Sequence, residues 1–216
     1  MTAIVTLAVG LSRPPQLQAQ GTTYVSNLGA TPSGSLAIGS DSWAAAWFTS
    51  GATSGGYRLD SIQLGMADAS GAPTGFGVML YNSGIGIAPI PGTSLGTLSG
   101  SPSPSTAGVY IFTPPVDLVL SKQTSYFIVL TGGTPIAGGA YQWDRADTSS
   151  YDLNGGWGTT IACHSANGSS WSYVSAVSPV FAINATPEPA VPEPNTAAVV
   201  ALGLLALGLR KCRTHA

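Results

Sequence analysis

The stretch Ser125-Tyr126-Phe127-Ile128-Val129-Leu130-Thr131 carries an unbroken apolar run between two polar ends. Its aromatic and β-branched side chains are the types that strands prefer. Alternating apolar and polar residues would indicate a strand with one face in water, whereas an unbroken run indicates a strand without such a face. The stretch therefore predicts a strand that is buried on both faces or central in a sandwich.

Similar short apolar runs follow one another along the chain, separated by turn signals such as Asn82-Ser83-Gly84 and Pro114-Pro115. No part of this region shows the period of a helix worth naming. We predict strands at Ser42–Ser50, Tyr57–Met66, Gly75–Asn82, Ser94–Leu98, Val109–Thr113, Ser125–Thr131, Ala140–Asp144, Trp171–Val174 and Val180–Asn184.

These elements predict an all-β fold, an antiparallel β-sandwich that is jelly-roll-like, with about eight strands in two sheets. The domain is expected to span residues 20–185, which is long enough for one hydrophobic core. Within it, the Gly-, Ser- and Pro-rich segment Ile85–Thr106 predicts a long connection around the short strand.

Charged residues are sparse, with seven Lys and Arg and nine Asp and Glu among 216 residues. Within the predicted domain the basic residues are Arg58, Lys122 and Arg145, which Asp residues outnumber. Nucleic-acid binding needs clustered Lys and Arg, so this function class is excluded. Solubility must come from Ser, Thr, Asn and Gly, a composition that agrees with life outside the cytoplasm.

The C-terminal part of the chain combines three features of a sorting signal. Residues 186–195 are proline-rich and favour an extended stalk, because proline cannot continue a helix. Residues 196–209 carry no charge and predict a short transmembrane helix of about 21 Å, against a bilayer core of about 30 Å. Segment 210–216 supplies a basic membrane stop that stays in the cytoplasm, formed by Arg210, Lys211 and Arg213. A plain single-span anchor and a buried core helix are the alternatives.

This tail resembles the PEP-CTERM sorting domain, through Val191-Pro192-Glu193-Pro194, the short apolar run and the basic end, in that order. The resemblance implies recognition by an exosortase, a membrane cysteine transpeptidase-like enzyme, with cleavage near the Pro-Glu-Pro motif. It also implies a Gram-negative bacterium that makes extracellular polysaccharide. We interpret the upstream partial copy, Pro187-Glu188-Pro189, as linker, because the downstream copy adjoins the apolar run.

The N-terminal residues 1–19 predict a signal peptide that signal peptidase removes. Ala3–Leu11 is a short apolar run, and Leu17-Gln18-Ala19 resembles the small-residue cleavage site. The basic residue Arg13 follows the run instead of preceding it. A disordered N-terminal tail is the alternative.

The body of the chain resembles the choice-of-anchor R domain. The resemblance rests on Trp47-Phe48-Thr49-Ser50-Gly51 with Tyr57–Leu64, and on Tyr126–Leu130 with Tyr141-Gln142-Trp143 and Gly156-Trp157. It implies a bacterial surface domain that occurs with several kinds of C-terminal anchor and has no known enzymatic activity.

The segment Tyr141–Trp157 is the strongest candidate for a ligand site in the body, because aromatic residues alternate with Asp and Asn. Aromatic rings beside carboxylates and amides can stack on a sugar, and the same oxygens can hold calcium. The candidate contacts are Trp143, Asp144, Asp147, Tyr151, Asp152, Asn154 and Trp157. The alternative is a hairpin with core aromatics, turn-forming Asp and Asn, and Asp144 or Asp147 paired with Arg145.

Residues with catalytic chemistry are few. Cys163 and His164 are adjacent, but neighbours on a strand point to opposite faces, so we expect both in a loop packed near Trp171. One thiol and one imidazole are too few for a zinc site. Asp144 and Asp152 can in principle serve as paired carboxylates, although nothing in the sequence selects them.

We therefore expect a non-enzymatic surface or matrix protein without a cofactor, exported to the cell envelope and in part released. Its expected partners are signal peptidase, an exosortase, the membrane transiently, and extracellular polysaccharide. The alternative is a small secreted polysaccharide-active enzyme or a lectin-like module with the same sorting signal.

Overall fold

The computed structural model describes residues 21–84, 89–100, 103–147, 151–159, 162–174 and 177–190, and this part of the chain is all-β. Its helical content is a 3₁₀ turn at Ile136–Gly138, and no helix in these ranges is long and apolar enough to cross a membrane. The strands, in chain order, are β1 Thr22–Ser26, β2 Gly34–Ile38, β3 Trp43–Thr49, β4 Tyr57–Gly71, β5 Gly77–Ser83, β6 Pro91–Gly100, β7 Gly108–Thr113, β8 Val119–Leu120, β9 Ser125–Thr131, β10 Gly139–Ala146, β11 Asp152–Leu153, β12 Ala162–Ser165, β13 Ser172–Val174, β14 Ser178–Pro179 and β15 Phe181–Pro187.

The strands form two antiparallel sheets that β6 joins. The first sheet follows the order β11-β1-β15-β4-β7, with β2, β8, β10 and β14 along its margins. The second sheet follows the order β6-β5-β9-β3-β12-β13. β6 pairs with β5 along most of its length and then with β7 through Ser99 and Gly100. The predicted all-β antiparallel fold is therefore confirmed, and the two joined sheets are consistent with a β-sandwich.

β9 lies between β3 and β5 and is buried on both faces. Tyr126, Ile128 and Leu130 belong to the main core, which also holds inward side chains of the first sheet. Phe127 and Val129 belong to a smaller cluster on the opposite face of β9. The unbroken apolar run thus has its physical reason, since neither face of this strand meets water.

All nine predicted strands are present; β9 has the predicted ends, and the other eight strands differ at one or both ends. β4 continues to Gly71, because its polar end pairs with β10. β15 continues past Ala185 to Pro187, where its register partner is Tyr57. Six short strands were not predicted, namely β1, β2, β8, β11, β12 and β14. Apart from the pairing of β12 with the nearby β13, they find their partners far away in the chain. The predicted signal peptide 1–19, the predicted sorting motif 191–194, the predicted transmembrane helix 196–209 and the predicted basic tail 210–216 lie outside the described residues.

Two strands share one edge of β4, and Trp143 lies where they meet. Met66 pairs with Trp143 of β10, and two residues earlier Leu64 pairs with Phe181 of β15. Between them, the carbonyl oxygen of Val180 accepts hydrogen bonds from the Gly65 amide at 2.9 Å and from Trp143 Nε1 at 2.9 Å. Trp143 therefore fixes the junction by packing and by a buried hydrogen bond.

We predict that Trp143→Phe lowers the free energy of unfolding by about 1–3 kcal/mol. The change removes a buried hydrogen bond and part of a fully buried ring, which leaves a cavity. Chemical denaturation measures the effect, with Ile111→Ala as a control at an exposed strand position. Equal loss in both variants would contradict the role of the junction.

Candidate functional site

The aromatic residues of the segment Tyr141–Trp157 belong to the core. Trp143 is 0% exposed and Trp157 is 4% exposed. Trp157 stacks on Tyr24 with ring centroids 5.0 Å apart and on Phe48 at 5.9 Å. The Tyr151 hydroxyl donates a hydrogen bond to the Pro179 carbonyl at 2.9 Å. Burial raises the pKa of the Tyr151 hydroxyl. Other side chains cover Trp143 and Trp157, and Tyr151 is partly buried against the core, so the geometry supports the alternative of core aromatics and not contact with a sugar.

The polar residues of the same segment are dispersed. Asp147 forms an ion pair with Arg145 at 3.1 Å and accepts a hydrogen bond from the Ser33 hydroxyl. Asp144 is partly buried, and this burial raises the pKa of its carboxyl group. Asp152 is exposed on β11, opposite Ser26 of β1. Since β11 pairs with β1 and β10 pairs with β2, β4 and β14, the predicted hairpin is wrong.

Asn154 has a local structural role in a turn. Its backbone amide donates to Tyr24, its side-chain amide donates to Thr23, and its carbonyl accepts from the Trp157 amide. In the described ranges, no three His, Cys, Asp or Glu side chains are close enough together to hold a metal ion. The predicted turn role of Asn and the ion pair of Asp147 with Arg145 are the interpretation that the geometry supports.

Cys163 and His164 lie on β12, not in the predicted loop. β12 pairs with β3, so Cys163 lies opposite Ala45 and His164 lies opposite Ala44. Cys163 is buried in the cluster that Trp171 packs against, while His164 is exposed. Burial raises the pKa of the Cys163 thiol to about 11, so the thiolate is scarce at neutral pH. Adjacent strand positions thus separate the two groups, as strand geometry requires.

The outer face of the second sheet carries an aromatic cluster that the sequence analysis did not single out. Ala45, Phe127, Val129 and Cys163 are its buried base. The side chains that pack over this base are partly exposed: Trp43, Trp47, Met79, Tyr81 and Trp171. At its edge Tyr173 is 46% exposed, and its hydroxyl donates to the Pro89 carbonyl at 2.8 Å. We call this surface the outer aromatic face.

The two sheets differ in charge. The six strands of the second sheet contain no Asp, Glu, Lys or Arg. In the first sheet, by contrast, β4 and β10 together carry five charged residues: Arg58, Asp60, Asp68, Asp144 and Arg145. Alternation of residues along one strand can identify such a face only when the pairing of strands is known, because its members come from β3, β5, β9, β12 and the residue before β13.

A second feature is an open groove of about 830 Å³ on the first sheet, beside Arg58. Its lining includes Ser61, Ile111 and the Pro114–Asp117 loop. The Arg58 guanidinium lies 3.7 Å from Asp60, 4.0 Å from Asp117 and 3.4 Å from Glu188. The groove therefore borders an ion-pair cluster that includes the first Pro-Glu-Pro copy.

Comparison with known proteins identifies no relative, since no protein-family model, no curated protein and no solved structure matches the chain. The two family resemblances therefore stay predictions that rest on the residues quoted for them.

We predict that Cys163 reacts slowly with thiol reagents in the folded protein. A pKa of about 11 instead of 9.0 leaves about 100-fold less thiolate at pH 8, before steric exclusion is counted. Thiol titration in a Cys212→Ser background, with and without denaturant, measures the ratio. The folded-state rate should rise up to about pH 11; equal rates in both states would contradict the burial.

Proposed function

We propose that this chain is an exported bacterial surface or extracellular-matrix protein that is sorted through its C-terminal tail and is not an enzyme. The observation that carries the proposal is the order Val191–Pro194, apolar residues 196–209, then Arg210, Lys211 and Arg213. An extended proline-rich segment, then a membrane segment and then a basic stop can together hold a chain transiently in the membrane for processing. The expected partners are signal peptidase, an exosortase and the membrane.

The folded part supports a surface module. Its few charges, its hydroxyl-rich exposed residues and its two-sheet architecture suit a domain that works outside the cytoplasm. We propose a jelly-roll-like sandwich that the proline-rich segment connects to the membrane. In the part of the chain that the structure describes, Asp144 and Asp152 lie on β10 and β11, which pair with different strands, so the geometry does not favour them as a catalytic pair.

Association with extracellular polysaccharide is the second part of the proposal, and the outer aromatic face favours it. Partly exposed Trp43, Trp47, Tyr81 and Trp171 lie on a sheet without charged strand residues. Aromatic rings stack on the apolar faces of bases and of other flat ligands, and the same geometry suits pyranose rings. An uncharged face suits a neutral glycan. This surface replaces Tyr141–Trp157 as the candidate site of a lectin-like module.

We predict that replacing Pro192, Glu193 and Pro194 by alanine leaves the domain folded and blocks release. The reason is that these residues lie beyond β15, whereas the proposed exosortase must read them. Intact mass of membrane and secreted fractions from the native host measures processing, and Lys122→Ala serves as a control with one exposed charge changed. Normal release of the triple variant would contradict the sorting proposal.

We also predict that Tyr81→Ala with Trp171→Ala weakens retention on a neutral polysaccharide by about thirtyfold or more, because each of the two stacked rings contributes on the order of 1–3 kcal/mol. Affinity electrophoresis in gels that contain the polysaccharide measures it, and Ile111→Ala on the first sheet is the control. Circular dichroism must show a folded variant. Unchanged retention would exclude the outer aromatic face as the binding surface.

A further inference from the structure

The chain contains two Pro-Glu-Pro copies, and the two glutamates of the whole sequence, Glu188 and Glu193, are their central residues. The first copy, Pro187-Glu188-Pro189, is within the described residues, so its contacts can be read directly. They show that this copy belongs to the folded domain and is not part of the predicted stalk, which was expected to begin at residue 186.

The backbone of the first copy continues the first sheet. In β15, Thr186 lies opposite Arg58 and Pro187 lies opposite Tyr57. One residue further, the Glu188 amide donates to the Gly56 carbonyl at 3.0 Å. The ladder between β15 and β4 thus extends to the centre of the motif.

Side chains hold the same segment. Thr186 Oγ1 donates to Asp60 Oδ2 at 2.7 Å. Glu188 Oε1 lies 3.4 Å from Arg58 Nε, and both side chains are about one-third exposed or more. The ion pair alone contributes little at such exposure, but it cooperates with the backbone hydrogen bond at Gly56.

Close packing fixes the end of the copy. A Cβ at Gly55 would collide with the carbonyl oxygens of Glu188 and Pro189. The chain therefore passes directly over the turn at Gly55 and Gly56, with no space for a side chain beneath it.

We propose that the folded domain masks the first Pro-Glu-Pro copy, so that the processing enzyme can act only through the second copy; this inference rests on the proposed sorting function. An enzyme that recognises the motif must contact its backbone and the Glu carboxylate. The Glu188 amide donates a hydrogen bond to the Gly56 carbonyl, the Glu188 carboxylate faces Arg58, and the Glu188 carbonyl lies against Gly55. Recognition of this copy requires the end of β15 to detach.

Masking itself is tested on the purified full chain in detergent, without the processing enzyme. Hydrogen exchange of the Glu188 amide should become about tenfold faster in Gly55→Val with Arg58→Gln, because the bond to Gly56 is lost. Gly29→Ala is the matched control, since a Cβ there meets nothing within 4 Å. Equal exchange in wild type and the double variant overturns the masking.

Its effect on processing is tested by deleting residues 190–194, which places the first copy directly before Asn195 at the spacing of the second. In a host that releases the wild-type chain, release of the deletion chain should fall about tenfold and return when Gly55→Val and Arg58→Gln are added. Gly29→Ala should not restore it. Release of the deletion chain with Gly55 and Arg58 unchanged overturns the proposal. If the wild-type chain is not processed at all, the sorting function fails, and the exchange experiment still decides the masking.

Discussion

Burial of β9 on both faces is the constraint on which the rest of the structure depends. Tyr126, Ile128 and Leu130 need a sheet to cover them, and the first sheet does so. Phe127 and Val129 also need cover, but no sheet built from the described residues lies on that side. Large flat side chains from neighbouring strands provide it instead, and a covering ring keeps its own outer side partly exposed. The outer aromatic face is therefore a consequence of a central strand without a polar face.

The same constraint separates the roles of the two sheets. The second sheet carries no charged strand residue, because both of its faces hold apolar clusters. The charged strand residues lie on the first sheet, whose outer side meets water and forms the ion-pair cluster around Arg58. A polymer of sugars would meet the uncharged sheet, while the end of β15 leaves from the charged one. The proposed ligand contact and the exit of the chain toward the proposed sorting signal thus belong to different surfaces of one domain.

Local sequence was a good guide to strands and a poor guide to the site. Tyr57–Met66 and Ser125–Thr131 have a pattern that only a strand can bury, so their prediction held. For Trp143 and Trp157 the sequence left a ligand contact and a core position both open, because an aromatic residue beside Asp and Asn has the same local sequence in the two cases. The distinction depends on Tyr24, Phe48 and Phe181, which pack on these rings from distant strands.

The sequence by itself determined the all-β class, the main strands and the order of the tail features, because these depend on local periodicity, turn chemistry and hydrophobicity. Only the tertiary structure decided which aromatic residues are buried, that Cys163 and His164 belong to a strand, and that β15 includes Pro187. Pairings such as β12 with β3 and β15 with β4 join residues that are far apart in the chain. Short strands have little propensity of their own, so their existence and the groups they bring together follow from the partner they find.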